Sequence, residues 1–506
     1  MTNYTHYYSG GTYGLDSKYG DVFTGYRLSS GQIGTSINPQ TANQITEVTN
    51  LLNQGFKQME MGTLNTAILE AIPKEHFKEI NRLTKLTGAK VSLHAPIQDI
   101  EASGIDNQSG RYDESNRLIT ERKLMSAIDK AHELNPDESV PVTMHSANMG
   151  GSLFVPGDEK KGEPRFKRNM ILAVNQETGQ VQNVFREEER VHYDDKRFLE
   201  TGKPEFYSPE KQLRIANQSQ WINNINSLAE GIRVTDQVLD SALNDLQTIV
   251  PKENAGIRLF DDERNIIEKN LSSNEIQGLS QLNKAEVFLN NVGSRFNNVF
   301  EEAYKYSDEE TKKKLWNMAK EWNKDEKNFL EKFEGRGNKL STQLEMIKKK
   351  EEFYSQALTQ LNSLAKTPPQ IFKPVEEFAM GKTADTFSNV ALHSYQKYKD
   401  KAPIVSIEIL YTGMAYSNPE EFQKVIKETR RQFVEKAIKG GMSEDKAREV
   451  SEKVIGVTWD VGHLNMLKKQ GFKDEDLTKA TKMISKDVKH IHLTDNFGFE
   501  DSHLPP

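Results

Sequence analysis

Five short apolar segments of this chain each end in a side chain that can hold a metal, with a polar residue two positions earlier. They are Ser92-Leu93-His94, Thr143-Met144-His145, Ser406-Ile407-Glu408, Thr458-Trp459-Asp460 and His490-Ile491-His492. Residues two apart on a β-strand share a face. Each segment therefore sends a polar residue and then a ligand to one side. Val91 and Leu93, Val142 and Met144, Val405 and Ile407, Val457 and Trp459, and Ile491 and Leu493 make the other side apolar. Two further spacings add candidates. Asp460-Val461-Gly462-His463 places an imidazole one turn beyond a strand-end carboxylate, and Asp501-Ser502-His503 offers a second such pair in a loop. The metal-ligand candidates are His94, His145, Glu408, Asp460, His463, His492, Asp501 and His503. The chain has no cysteine, which excludes disulfides and thiolate ligands. Carboxylates with neutral imidazoles suit Zn, Mn, Fe or Co and exclude an all-oxygen calcium site. No organic cofactor is expected. A single strand-end histidine is more often hydrogen-bonded than ligating, so the weight lies on the set. His490, inward below His492, reads as structural. Glu60, two residues after Gln58, faces the same mouth as a candidate substrate contact or as half of a buried salt bridge. His6, His76, His132, His192 and His393 carry no assignment.

The elements that must position these residues alternate. Strands are expected at 32–36, 56–62, 90–95, 140–146, 403–411, 455–462 and 488–495, with amphipathic helices at 41–53, 74–87, 120–134, 419–454 and 474–486. Strand and helix in alternation read as a parallel α/β fold with right-handed crossovers. Ligands on five successive strands favour a (β/α)8 TIM barrel, whose sites gather at the C-terminal strand ends, over a doubly wound sheet with one switch point. Seven strands are visible, so the barrel is expected to lack its last βα unit, as a truncated form. Residues 1–31 form an irregular N-terminal arm, and 32–147 with 401–506 form the barrel. Between the fourth and fifth strands lies a large, mainly helical insertion, residues 148–400. It opens with a Gly- and Lys-rich loop at 150–162 and a hairpin at 170–174 and 181–185. Long helices follow near 208–248, 280–306, 308–333 and 339–365. Ile215, Ile222, Ile225, Leu228, Ile232, Leu239, Leu243 and Leu246 form a stripe at helical spacing. Because the insertion leaves a strand at its C-terminal end, a lid or a partner-binding or oligomerising arm is expected. Its charge runs at 309–314 and 348–352 read as solvated helix faces.

With 506 residues, 36% hydrophobic and 28% charged, and a net charge of −7, the chain has no general attraction for nucleic acid. No stretch of about 18 apolar residues predicts a membrane span. No apolar leader opens the sequence, and a cytoplasmic location is expected.

His94-Ala95-Pro96, Asp460-Val461-Gly462-His463 and His492-Leu493-Thr494-Asp495-Asn496, followed by Asp501-Ser502-His503-Leu504-Pro505, resemble the xylose isomerase-like TIM-barrel superfamily. That superfamily holds sugar isomerases and epimerases and the endonuclease IV-like apurinic/apyrimidinic endonucleases. The resemblance covers about 32–147 and 400–506. In the endonuclease branch it implies three zinc ions. His94, His145 and Glu408 would hold the first, Glu408 bridging to the second with Asp460 and His492, and His463, Asp501 and His503 would hold the third. In the isomerase branch it implies one Mn, Mg or Co ion on Glu408, Asp460 and His492, with His463 on the substrate and Glu408 shuttling a proton. Both branches complete their set with a glutamate on an eighth strand. The run Asp495-Asn496-Phe497-Gly498 resembles the isomerase branch, and Ile409-Leu410-Tyr411-Thr412-Gly413 departs from the nuclease branch. The expectation is therefore a divalent-metal-dependent sugar or sugar phosphate isomerase or epimerase, with Glu408 and His463 catalytic and Glu60 and His463 binding a small sugar. The alternative is a zinc-dependent endonuclease acting on abasic DNA. A third reading is a catalytically idle barrel that serves binding or assembly.

Overall fold

A computed structural model of the protein describes residues 33–259, 261, 266–333, 339–364 and 367–502. The arm at 1–31 and His503 lie outside them. The chain divides into two compact units, Met1–Pro209 with Lys373–Pro506, and Glu210–Phe372.

The first unit is built on a seven-stranded sheet: β1 Thr35–Ser36, β2 Gln58–Gly62, β3 Lys90–His94, β4 Pro141–His145, β5 Ile404–Glu408, β6 Ile455–Asp460 and β7 Val488–His492. The strands lie in sequence order and every pair is parallel. The expected (β/α)8 TIM barrel short of its last βα unit is not what forms. Among the described residues the sheet is open, with β1 and β7 as its edges, and β1 is only two residues long and pairs with β2 alone. Alternating βα periodicity dictates parallel order, whereas closure depends on what the edge strands meet, and periodicity carries no information about that. The sheet is nonetheless strongly curled. Glu60 on β2 hydrogen-bonds to His490 and His492 on β7, five places away in the strand order.

Helices cover the outer face. Gln44–Asn53, Lys74–Thr87 and Glu114–Leu134 lie between the early strands, and Pro419–Lys439, Glu444–Val454 and Asp474–Ile484 between the later ones. The sequence-expected helix at 419–454 is two helices, broken where Gly441 takes φ 92°. Pro419 at the start and the Asn418 side chain, which accepts from the Glu420 N–H at 2.8 Å, fix the first of them. Leu93, Val142, Met144, Val405, Ile407 and Val457 are fully buried beneath these helices. Each contributes on the order of 1.5–3 kcal/mol by burial. The outer face of β7 differs, because Ile491 and Leu493 are exposed.

Between β4 and β5, the segment nearest the sheet stays with the first unit. Phe166–Asn175 pairs antiparallel with Leu153–Pro156 and with Val181–Arg186. Helix Val375–Tyr398 packs on Glu114–Leu134 and Pro419–Lys439, acting as the crossover into β5. The compact helical unit is thus Glu210–Phe372, narrower than residues 148–400.

That unit contains most of Pro209–Asp245, with Ser273–Tyr306, Glu309–Phe333 and Leu340–Leu364. Ser272 and Glu275 cap Ser273–Tyr306 reciprocally. Trp221, Ile225, Leu228 and Ile232 form one core with Val292, Phe296 and Leu361, and Leu239 and Leu246 form another with Leu282 and Leu289. Ile222, placed in the stripe by its spacing, is exposed, and Trp221 takes the buried position. No described helix is long and apolar enough to cross a membrane.

Candidate metal centre

Two layers of polar side chains line the concave face, as residues two apart on a strand require. The lower layer is hydroxyl-rich, bonded partly to itself and partly to Glu60. Thr458 Oγ1 donates to Ser406 Oγ at 2.8 Å and lies 3.1 Å from Thr143 Oγ1. Ser92 Oγ donates to Glu60 Oε2 at 3.0 Å. These bonds fix the strands that carry the upper layer, in which His94, His145, Glu408, Asp460 and His492 stand at the C-terminal ends of β3, β4, β5, β6 and β7.

The upper layer converges on Glu408, whose exposure is 1%. Its Oε2 lies 3.3 Å from His94 Nε2 and 3.4 Å from His145 Nε2, with neither contact aligned as a hydrogen bond. Its other oxygen, Oε1, meets His492 Nδ1 at 2.6 Å. Asp460 Oδ2 is buried without a hydrogen bond and lies 3.5 Å from the same Nδ1. Asp460 Oδ1 is held by the His463 N–H at 2.9 Å and by Thr494 Oγ1 at 3.0 Å. The rings of His94 and His145 meet edge to face, 5.1 Å between centroids.

A divalent cation fits this donor set. In a tetrahedral zinc site with bonds of about 2.0–2.1 Å, neighbouring ligand atoms lie about 3.3–3.4 Å apart. The two imidazole contacts to Glu408 Oε2 have that value and are long for hydrogen bonds. His94, His145 and Glu408 bring ligand atoms within 4.8 Å of one another. A second pocket lies across the same carboxylate, on Glu408 Oε1, Asp460 Oδ2 and His492 Nδ1. There the 2.6 Å contact is a hydrogen bond whose proton stands where a cation would. Backbone carbonyls set the imidazoles. His94 Nδ1 donates to Ala95 O at 2.7 Å, which leaves Nε2 facing Glu408.

His463 borders the second pocket: with Glu408 and Asp460 it brings ligand atoms within 4.8 Å of one another, its Nδ1 lying 3.9 Å from Asp460 Oδ2. Its Nδ1 donates to Ile409 O at 2.8 Å and lies 4.0 Å from Glu408 Oε1, and its Nε2 turns to Asp501 Oδ2 at 3.3 Å. Tyr411 packs edge-on against the ring. His463 is thus paired with Asp501 beside that pocket; the expected ligand His503 lies outside the described residues.

Charge balance follows from this geometry. Burial works against the charged form of every group here, and at all but His145 the opposite charges outweigh it. His492 is held well above the usual imidazole range by Glu408 and Glu60. Asp501, Glu408 and Asp460 lift His463 to about 9. Burial dominates at His145, which falls to about 4. The imidazoles in turn hold Glu408 and Glu60 well below the carboxylate range against their burial.

Of the eight expected ligands, the structure gathers His94, His145, Asp460 and His492 around Glu408, places His463 beside Glu408 and Asp460, and pairs it with Asp501. Glu60 is bonded to His490, His492 and Ser92, within the protein. Sequence reading missed the Glu60–His490–His492 link, since β2 and β7 are far apart in the chain. It also missed Tyr411, which carries no ligand chemistry and has no distinguishing spacing. No family model, curated protein or solved structure matches this chain.

Proposed function

We propose that this chain is a metal-dependent hydrolase of phosphate esters, with at least two zinc-type divalent cations sharing Glu408. One observation carries the reading: the two oxygens of Glu408 face different sets of ligands, Oε2 toward His94 and His145, and Oε1 toward His492 and Asp460. A shared carboxylate between two nitrogen- and oxygen-rich pockets is the arrangement of a two-cation centre. When bound, such a pair activates water and neutralises charge on a phosphate. His94, His145 and Glu408 would hold one cation, and Glu408, Asp460 and His492 the other. His463 and Asp501 would border the substrate or hold a further cation. The resemblance to the endonuclease IV-like branch supports the same assignment and makes abasic DNA the first oligonucleotide to test.

The isomerase or epimerase reading asks Glu408 to carry a proton to and from a substrate carbon. Glu408 is buried and both of its oxygens face imidazoles, so neither is turned to a substrate. The run after His492 and the departure of Ile409-Leu410-Tyr411-Thr412-Gly413 from the nuclease branch favour that reading; we give the arrangement of Glu408 more weight.

The test pairs activity with composition. Zinc- or manganese-loaded protein should cleave bis(p-nitrophenyl) phosphate or an abasic-site oligonucleotide and leave free ketoses unchanged. It should carry two or more cations per chain. Ketose epimerisation with one cation per chain would overturn the proposal.

A further inference from the structure

Glu60 lies on β2, across the curled sheet from β7, and the metal assignment above gives it no part. Its Oε1 meets His492 Nε2 at 3.0 Å and its Oε2 meets His490 Nε2 at 2.7 Å, both aligned as hydrogen bonds. Ser92 Oγ donates to Oε2 as well, at 3.0 Å. His492 therefore stands between two carboxylates, with Nδ1 on Glu408 and Nε2 on Glu60. Resting on the two-cation reading, we propose that Glu60 is a positioning residue: it holds the Nε2–H of His492 so that Nδ1 is the atom presented to the second cation.

Two alternatives are weaker on the same distances. Glu60, His490 and His492 bring ligand atoms within 4.8 Å of one another, as a cation site would. Yet both oxygens of Glu60 are taken up by hydrogen bonds from His490, His492 and Ser92, whereas the second pocket holds a buried carboxylate oxygen, Asp460 Oδ2, with no hydrogen bond. A substrate contact would need an oxygen of Glu60 turned to the mouth, and both accept from side chains within the sheet. A carboxylate behind a ligating histidine sets which nitrogen binds and how the ring is turned. Ser92 and His490 in turn fix that carboxylate.

The test uses the full chain. In 15N-histidine spectra of zinc-loaded protein, His492 should show a metal-bound Nδ1 and a protonated Nε2. A metal-bound Nε2 overturns the inference. Cobalt titration, read by visible absorption and metal analysis, should show the second cation of Glu60→Gln weakened about 10- to 100-fold. The first cation should bind as in wild type, and Glu60→Asp should recover part of the loss. In a His492→Ala background, Glu60→Gln should have no further effect on cation binding. Unchanged affinity in Glu60→Gln, or a further loss without His492, overturns the positioning role and leaves the two-cation reading standing. Wild-type protein that binds no cation overturns both.

Discussion

Replacing His145 by alanine removes one of the two imidazole nitrogens beside Glu408 Oε2 and leaves the groups beside Oε1 in place. The expected result is a protein that loses one cation per chain and keeps the second, read by elemental mass spectrometry after dialysis. Loss of both, or of neither, would show that the two pockets are not divided at Glu408. At this scale much of the centre was legible. His94, His145, Glu408, Asp460 and His492 each follow a short apolar segment, and strand geometry sends each to the concave face. What the sequence did not show is which atom of each residue does what. That depends on partners such as Ala95 O for His94, Ile409 O for His463 and Glu60 for His492, which join the ligands only through the fold. Glu60 itself read as a substrate contact or a salt bridge because its partners lie some 430 residues away in the chain.

The turn after β6 shows how an element holds a ligand in place. Asp460 ends the strand and caps the short helix Val461–Asn465, while Thr494 and Asn496 close over it from the segment after β7. A Cβ on Gly462 would sit 2.3 Å from Thr494 Oγ1 and 3.2 Å from both Asn496 Nδ2 and Asp460 Oδ1. Gly462→Ala should therefore push Thr494 off Asp460, cost about 1–3 kcal/mol of stability through overpacking, and weaken the second cation more than the first. Thermal unfolding and cation titration check the two halves separately, and an unchanged melting temperature would sink the packing argument. Element positions were readable from periodicity, since all seven strands fall inside the expected segments. The split of 419–454 and the assignment of Val375–Tyr398 to the sheet unit were not. The first depends on a two-glycine break and the second on packing against Glu114–Leu134.

Within the whole sheet-bearing unit, buried charge away from the centre makes stability depend on pH. Arg168, on the strand Phe166–Asn175, donates to Glu421 Oε1 at 2.6 Å on helix Pro419–Lys439. Burial, then the nearby Glu376 carboxylate, push Glu421 up to about 7 despite that arginine. The folded protein thus holds a proton that the unfolded chain releases near the ordinary value of 4.5. The group's contribution to stability falls as pH rises from that value through about 7. Glu421→Gln removes the effect, so its melting temperature relative to wild type should rise between pH 5 and pH 8; parallel curves would contradict this. The open sheet is likewise a property of the whole unit, fixed by what β1 and β7 meet, and no local pattern announced it. Whether two cations share Glu408 is read from anomalous scattering by crystals of the zinc-loaded protein. Two peaks about 3.5–4 Å apart, one beside His94 and His145 and one beside Asp460 and His492, are predicted. A single peak, or none touching Glu408, would contradict the account.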